Sequence, residues 1–171
     1  QKNEKNSHFM GGKLVNGNRI SASQANQVVS RIKDVIGSKG VYVAGSLRRG
    51  KLDVGDLDII IVREEAEPDL NERLLTLTGT DLSKRKTCSF VFENCQIDLN
   101  MCTSDIKGSY LLHWTGSTKE NVRLRRAAKK LGCKLSQNGL INSNNVNLSK
   151  NKSESEIYEL LGMKYVKPQD R

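Results

Sequence analysis

"GSLRRGKLDVGDLDIIIV", residues 45–62, decides how this chain is read. It joins Gly45, Gly50 and Gly55 to an adjacent arginine pair, then to Asp53, Asp56 and Asp58, and closes on an unbroken apolar run. On a strand, residues two apart share a face, so Asp56 and Asp58 point the same way. The run that follows is apolar on both faces, as in a central buried strand. Two like charges at the mouth of such a strand repel each other unless a cation neutralises them. Carboxylate oxygens on a rigid strand suit Mg²⁺, a hard ion that also binds substrate phosphates. The residues before them carry the opposite sign. Gly45 permits a tight turn after a strand, Ser46 offers a hydroxyl and a backbone N–H, and Arg49 offers a planar fork for phosphate oxygens. Gly50 and Gly55 let backbone approach a ligand. The plain alternative is a solvated turn, but the flanking sequence weighs against it.

The 171 residues suffice for one compact domain, with room for two lobes and a sizeable core. No apolar run approaches the roughly 20 residues of a membrane span, and the polar start, "QKNEKNSHFMGG", is no secretory signal. Residues 1–10 read as a leader or a cloning remnant, with Met10 as a natural start. The formal net charge of +9 fits either solubility or a polyanionic partner. Cys88, Cys95, Cys102 and Cys133 form no C-x-x-C pair and have no histidine at ligand spacing. They read as free thiols in a reducing, intracellular compartment rather than as a zinc site. Nuclear, cytoplasmic and viral-factory locations stay open.

Apolar residues at three- and four-residue steps predict a helix over 21–37, capped by Ser21 and ended by Gly37. "VYVAG" and "DLDIIIV" read as strands, "PDLNERLLTL" as a short helix, and "KRKTCSFVFE" and "CQIDLNMC" as strands joined by a turn at Glu93-Asn94. In the second of these Gln96, Asp98 and Asn100 share a face opposite Ile97, Leu99 and Met101, the expected core face. Asp98 is thus a candidate third carboxylate. Three carboxylates at one spot suit two divalent ions about 3.5–4 Å apart, the arrangement of in-line phosphoryl displacement. From about residue 105 helix and positive charge dominate. Two helices, "SDIKGSYLLHWTG" and "STKENVRLRRAAKKLG", precede a hairpin turning at Asn138-Gly139 and a last helix with Ser153 and Glu156 in capping-box spacing.

With those residues in view, "GSLRRG…GDLDIII" resembles the palm motif of the family X DNA polymerases, within the wider nucleotidyltransferase superfamily. "QIDLNM" resembles the strand of the third catalytic aspartate, "HWTGSTKENVRLRRAAKKLG" the start of the nucleotide-selecting lobe, and "SESEIYELLGMKYVKPQDR" the family's C-terminal end. The resemblance covers about residues 40–171 and is closest to a minimal, viral form. It implies an α+β fold: a palm over 1–104, a mixed sheet with flanking helices, and a small α/β C-terminal nucleotide- and DNA-binding lobe over 105–171. It implies catalytic, metal-binding roles for Asp56, Asp58 and Asp98, with two Mg²⁺ ions that Mn²⁺ can replace. Ser46, Arg49 and Gly55 match triphosphate contacts, and Arg19 is a looser match. His113, Trp114 and Gly116 fall in the segment beside the incoming sugar, Asn121 at a base contact and Arg125 toward the template. His113 and Gln96 depart from the family's usual tyrosine and arginine. Only about 40 residues precede Gly45, so no N-terminal lyase domain is expected.

Independently of that resemblance, the stretch from Lys119 to Lys134 holds seven basic residues and one acid. On a helical wheel Leu124, Ala127, Ala128 and Leu131 form an apolar face. Asn121, Arg125 and Lys129 lie on one flank; Lys119, Arg123, Arg126 and Lys130 lie on the other. The cluster favours nucleic-acid backbone contacts. The reading is therefore a monomeric DNA-directed DNA polymerase, acting on gapped or primed duplex DNA and deoxynucleoside triphosphates, with no membrane role. Template-independent addition, transfer to a small molecule and non-enzymatic DNA binding are the rivals. The aspartate triad argues against the last.

Overall fold

The computed structural model describes residues 19–171; the expected leader at residues 1–10 lies outside them. In chain order the elements are β1 (Ile20–Ser21), α1 (Ala22–Ile36), β2 (Val41–Val43), α2 (Gly45–Arg48), β3 (Asp53–Val54), β4 (Asp56–Val62), α3 (Leu70–Thr78), β5 (Thr87–Phe92), β6 (Cys95–Cys102), α4 (Lys107–Thr115), α5 (Thr118–Lys130), β7 (Lys134–Ser136), β8 (Gly139–Ile141) and α6 (Glu154–Leu160). The fold is mixed α/β.

Local chemistry sets several boundaries. Ser21 and Gln24 close a capping box at the start of α1, and Ser153 and Glu156 close another at α6. Glu93 and Asn94 both take left-handed backbone angles, which turns β5 into β6 as expected. The β7–β8 loop differs from expectation. Ser136 pairs with Gly139, so the turn is Gln137-Asn138 and Gly139 already belongs to β8. A Cβ there would collide with Asn147 and Ser149. Glycine at 139 therefore serves close packing rather than the turn.

A four-stranded mixed sheet of order β2-β4-β6-β5 is the frame, with β4 and β6 parallel and the other pairs antiparallel. Strand alternation divides its side chains between two faces. Leu57, Ile59, Ile61, Ile97, Leu99 and Met101 pack with α1 and α3 in the main core. Asp56, Asp58, Ile60 and Val62 share the opposite face. Its far end is dry, where Ile60, Val62 and Cys102 pack with Tyr110 of α4. Asn100 is buried too, although the alternation marks it for the open face, because α4 covers that half of the sheet. The acid end stays open. A third core joins Leu112, Leu124, Ala128, Leu135, Leu140, Ile157 and Tyr158. The four cysteines are free thiols, and no helix of the described residues is long and apolar enough to cross a membrane.

Candidate active site

The parallel register of β4 and β6 sets Asp58 directly across from Asp98, and Asp56 across from Gln96. Burial pushes the Asp58 carboxyl up to about 7, and the charges of Asp98 and Asp56 push the same way, against the pull of Arg49. The strand mouth thus holds negative charge that the chain does not fully compensate. On the neighbouring strand, Ser89 pairs in register with Asp98. Its Oγ donates to Asp98 Oδ1 at 2.6 Å, and Gln96 Nε2 donates to the same oxygen at 3.3 Å.

The turn after β2 closes over these acids. Gly45 has φ of +60°, and a Cβ on it would strike the Asp58 carboxylate, so only glycine lets α2 start against the acid. Arg49 follows α2, and one of its guanidinium nitrogens donates to the Thr115 carbonyl at 2.6 Å. Its Nε is buried without a hydrogen-bond partner. Next to it, Arg48 grips Glu154 through two hydrogen bonds, at 2.5 and 2.9 Å, and donates to Thr115 Oγ1 at 2.7 Å. The turn is thereby tied to α4 and α6.

A cleft of about 490 Å³ lies between the sheet's acid end and the start of α5. Ser46, Arg49, Gly55, Asp56 and Asp58 line one side; His113, Trp114, Gly116 and Asn121 line the other. Residues separated by some 60 positions in the chain thus meet in one cleft. Asp98 stands beside Asp58 but is not part of the lining. Among the described residues no three His, Cys, Asp or Glu side chains are gathered as a ready cage for one ion. The donor set nonetheless fits a hard divalent cation. Its oxygens are carboxylates on rigid parallel strands, and the raised Asp58 carboxyl marks negative charge that a cation would relieve.

The C-terminal part matches the family model described as DNA polymerase beta thumb over residues 110–171. Nearly the whole chain is similar to the repair DNA polymerase X of African swine fever virus: 28% identical over 172 residues, covering 94% of this chain and 96% of the viral protein. These similarities support a family X DNA polymerase. The DNA polymerase/3'-5' exonuclease PolX of Bacillus subtilis is 30% identical over 135 residues, covering 75% of this chain but only 23% of the bacterial protein. The DNA polymerase lambda of Arabidopsis thaliana is 24% identical over 189 residues, covering 90% of this chain and 36% of the plant protein. DNA polymerase homologues imply DNA and nucleotide substrates and a general dependence on divalent metal.

In this polymerase the wall facing the aspartates is held from behind. Trp114 Nε1 donates to Gln137 Oε1 at 3.1 Å, and the His113 ring meets Trp114 edge-on at 5.1 Å. Burial lowers the His113 pKa, and the nearby Arg125 charge lowers it further, which favours the neutral imidazole. Asn121 Nδ2 donates to the His113 carbonyl at 2.9 Å, fastening α5 to the end of α4. Asn121 and Arg125 share a small pocket with His113. Lys119, Arg123, Arg126 and Lys130 instead line a separate groove that contains none of the cleft residues. Lys129 is exposed and lines neither. Arg19 lines the cleft while its Nε donates to Asp53 Oδ2 at 2.7 Å.

Three partners were not picked out from the sequence: Ser89, Thr115 and Gln137. Ser89 had a usable signal. Once Glu93-Asn94 is taken as the turn, counting back along the antiparallel pair sets residue 89 opposite residue 98. Thr115 and Gln137 carried no such signal, because their contacts join separate elements.

Proposed function

We propose that this chain adds deoxynucleotides to a primer 3′-hydroxyl opposite a template, filling short gaps in duplex DNA during repair. The observation that carries this reading is the single cleft in which Asp56 and Asp58, with Asp98 at the shoulder of Asp58, face the Ser46–Arg49 turn and the His113–Trp114 wall. Residues up to 104 serve as the palm and those from 105 as the nucleotide- and DNA-binding lobe.

Ser46, Arg49 and the Gly55 backbone bind the triphosphate. Arg49 is already oriented by Thr115, so binding fixes few new rotamers. Asp56, Asp58 and Asp98 would hold two Mg²⁺ ions. Those ions, when bound, supply Lewis-acid polarisation of the α-phosphate and a lowered pKa at the 3′-hydroxyl. Ser89 and Gln96 both occupy Asp98 Oδ1, so Oδ2 is the atom assigned to the primer side. Trp114 and His113 wall the sugar and limit water, and Arg125 faces the template. The enzyme works as a monomer.

Primer extension on a one-nucleotide gap with Mg²⁺ tests the reading. Templated incorporation by the wild type and its loss in Asp98→Ala are expected. A wild type that incorporates nothing, or an Asp98→Ala variant of unchanged activity, would overturn it. Extension that ignores the template base would favour template-independent addition.

A further inference from the structure

α5 carries its cations on two flanks, and only one of them meets the cleft. At 3.6 residues per turn, the stripe of Lys119, Arg123, Arg126 and Lys130 is centred roughly 150° around the helix from the Asn121–Arg125 direction. The two flanks look away from each other across a helix body about 10–12 Å wide. The outer stripe lines a groove of about 610 Å³ whose remaining walls are Val122, Ala127 and Met163.

Charge accounting singles out this groove. Arg123 is engaged by Glu120, at 2.6 and 3.0 Å. Lys119, Arg126 and Lys130 make no ion pair among the described residues. Glu120 itself is buried and turned toward Tyr158, so the outer face is left strongly positive. The four cations stand at steps of four, three and four residues. They span about 16 Å along the helix at 1.5 Å per residue. A duplex strand carries a phosphate about every 3.4 Å of axis, so the stripe is long enough to follow about five of them. Val122 and Ala127, which flank the stripe, and Met163 give the groove apolar walls that can take sugar faces. It lacks the Trp, Phe and Leu that an amphipathic helix uses to enter a membrane surface.

We propose that the outer face of α5, with Met163, is a second nucleic-acid-backbone site, engaging a segment of DNA that lies outside the polymerase cleft. It acts by charge and carries no base specificity. A gapped substrate is then held twice: in the cleft by its termini and on the outer face by its flanking duplex. The inference extends the DNA-binding part of the reading above but does not depend on turnover.

Binding without nucleotide tests it, on the full chain, by anisotropy over a series of salt concentrations. One probe is a gapped duplex with arms just long enough for the cleft; the other has the same gap with long arms. The wild type should bind the long-armed probe more tightly and with a salt slope steeper by about 2 to 3, as loss of three phosphate contacts predicts. The triple variant Lys119→Gln, Arg126→Gln, Lys130→Gln should bind both probes alike. Arg125→Gln should weaken both equally, since it stands on the cleft flank. An arm-length difference that survives in the triple variant overturns the proposal. So does equal weakening of both probes by the triple variant, which would assign the stripe to the cleft. Polyglutamate or anionic vesicles bound as tightly as long-armed duplex, with the same sensitivity to the triple variant, would transfer the groove to an acidic protein or a lipid surface. A chain that fails primer extension yet shows the arm-length effect keeps this inference while losing the polymerase reading.

Discussion

Two acids in two regions are treated in opposite ways. Glu120 of α5 is buried, but Arg123 and Tyr158 both donate to it, and its carboxyl is held below the usual range. Asp58 of β4 is pushed up to about 7 by burial and by two neighbouring carboxylates. Glu154 belongs with Glu120, since Arg48 and Arg171 both close on it. The acids that hold elements together carry their counter-charges within the chain. Asp58 at the strand mouth keeps two like-charged neighbours, which outweigh the pull of Arg49. A protein tolerates that arrangement where an outside cation and a polyanionic substrate complete it, so the contrast separates scaffold from site without reference to any relative.

The contrast can be broken most sharply at Asp58. Asp58→Asn removes one charge from the repelling group and one proposed metal ligand. Gap-filling kcat should fall by several kcal/mol of transition-state stabilisation, on the order of 10²- to 10⁴-fold. The thermal midpoint should rise by a few degrees, as stability is recovered where function had cost it. A variant that loses stability together with activity would place Asp58 among the scaffold acids. Glu154→Ala is the converse. It strands Arg48 and Arg171, the latter's side chain fully buried. The expected loss is about 3–5 kcal/mol, read from the urea midpoint. A loss under about 1 kcal/mol would reduce this cluster to the rank of a surface ion pair.

Ser89 lies on the boundary between the two classes, and it shows how far the sequence reaches. Asp56, Asp58 and Asp98 are legible because strand alternation alone fixes their face, and the helices are legible because their caps and apolar steps are local. Asn100 is misplaced by the same alternation, because a period of two names a face and cannot say that α4 covers half of it. Gly139 is misassigned because the side chains it must clear, Asn147 and Ser149, are eight and ten residues away in another segment. Ser89 needs one further step, a register counted from a turn. If its hydrogen bond orients Asp98, Ser89→Ala should lower kcat about 10- to 100-fold while the KM for deoxynucleotide stays put, and Ser89→Thr should restore the rate. A merely structural serine would leave kcat alone or be rescued by neither hydroxyl.

The smallest effect tests the scaffold side of the contrast through pH. Arg123, and then Tyr158, hold the Glu120 carboxyl below its usual value of 4.5 in the fold, against the opposing effect of burial. A depressed carboxylate contributes stability that is fully present above the unfolded-state value. That contribution is lost as pH falls through the lower, folded value. Wild type should therefore exceed Glu120→Gln in urea midpoint at neutral pH, by about 1 kcal/mol. The gap should begin to narrow below about pH 4.5 and close once the solution is below the lower, folded value, because both chains then present a neutral side chain to Arg123 and Tyr158. A gap that persists unchanged into acid would mean that Glu120 acts through its shape and its hydrogen bonds alone. Its pairing with Arg123 would then be no measure of how this chain treats a structural charge, and Asp58 would stand out less against it.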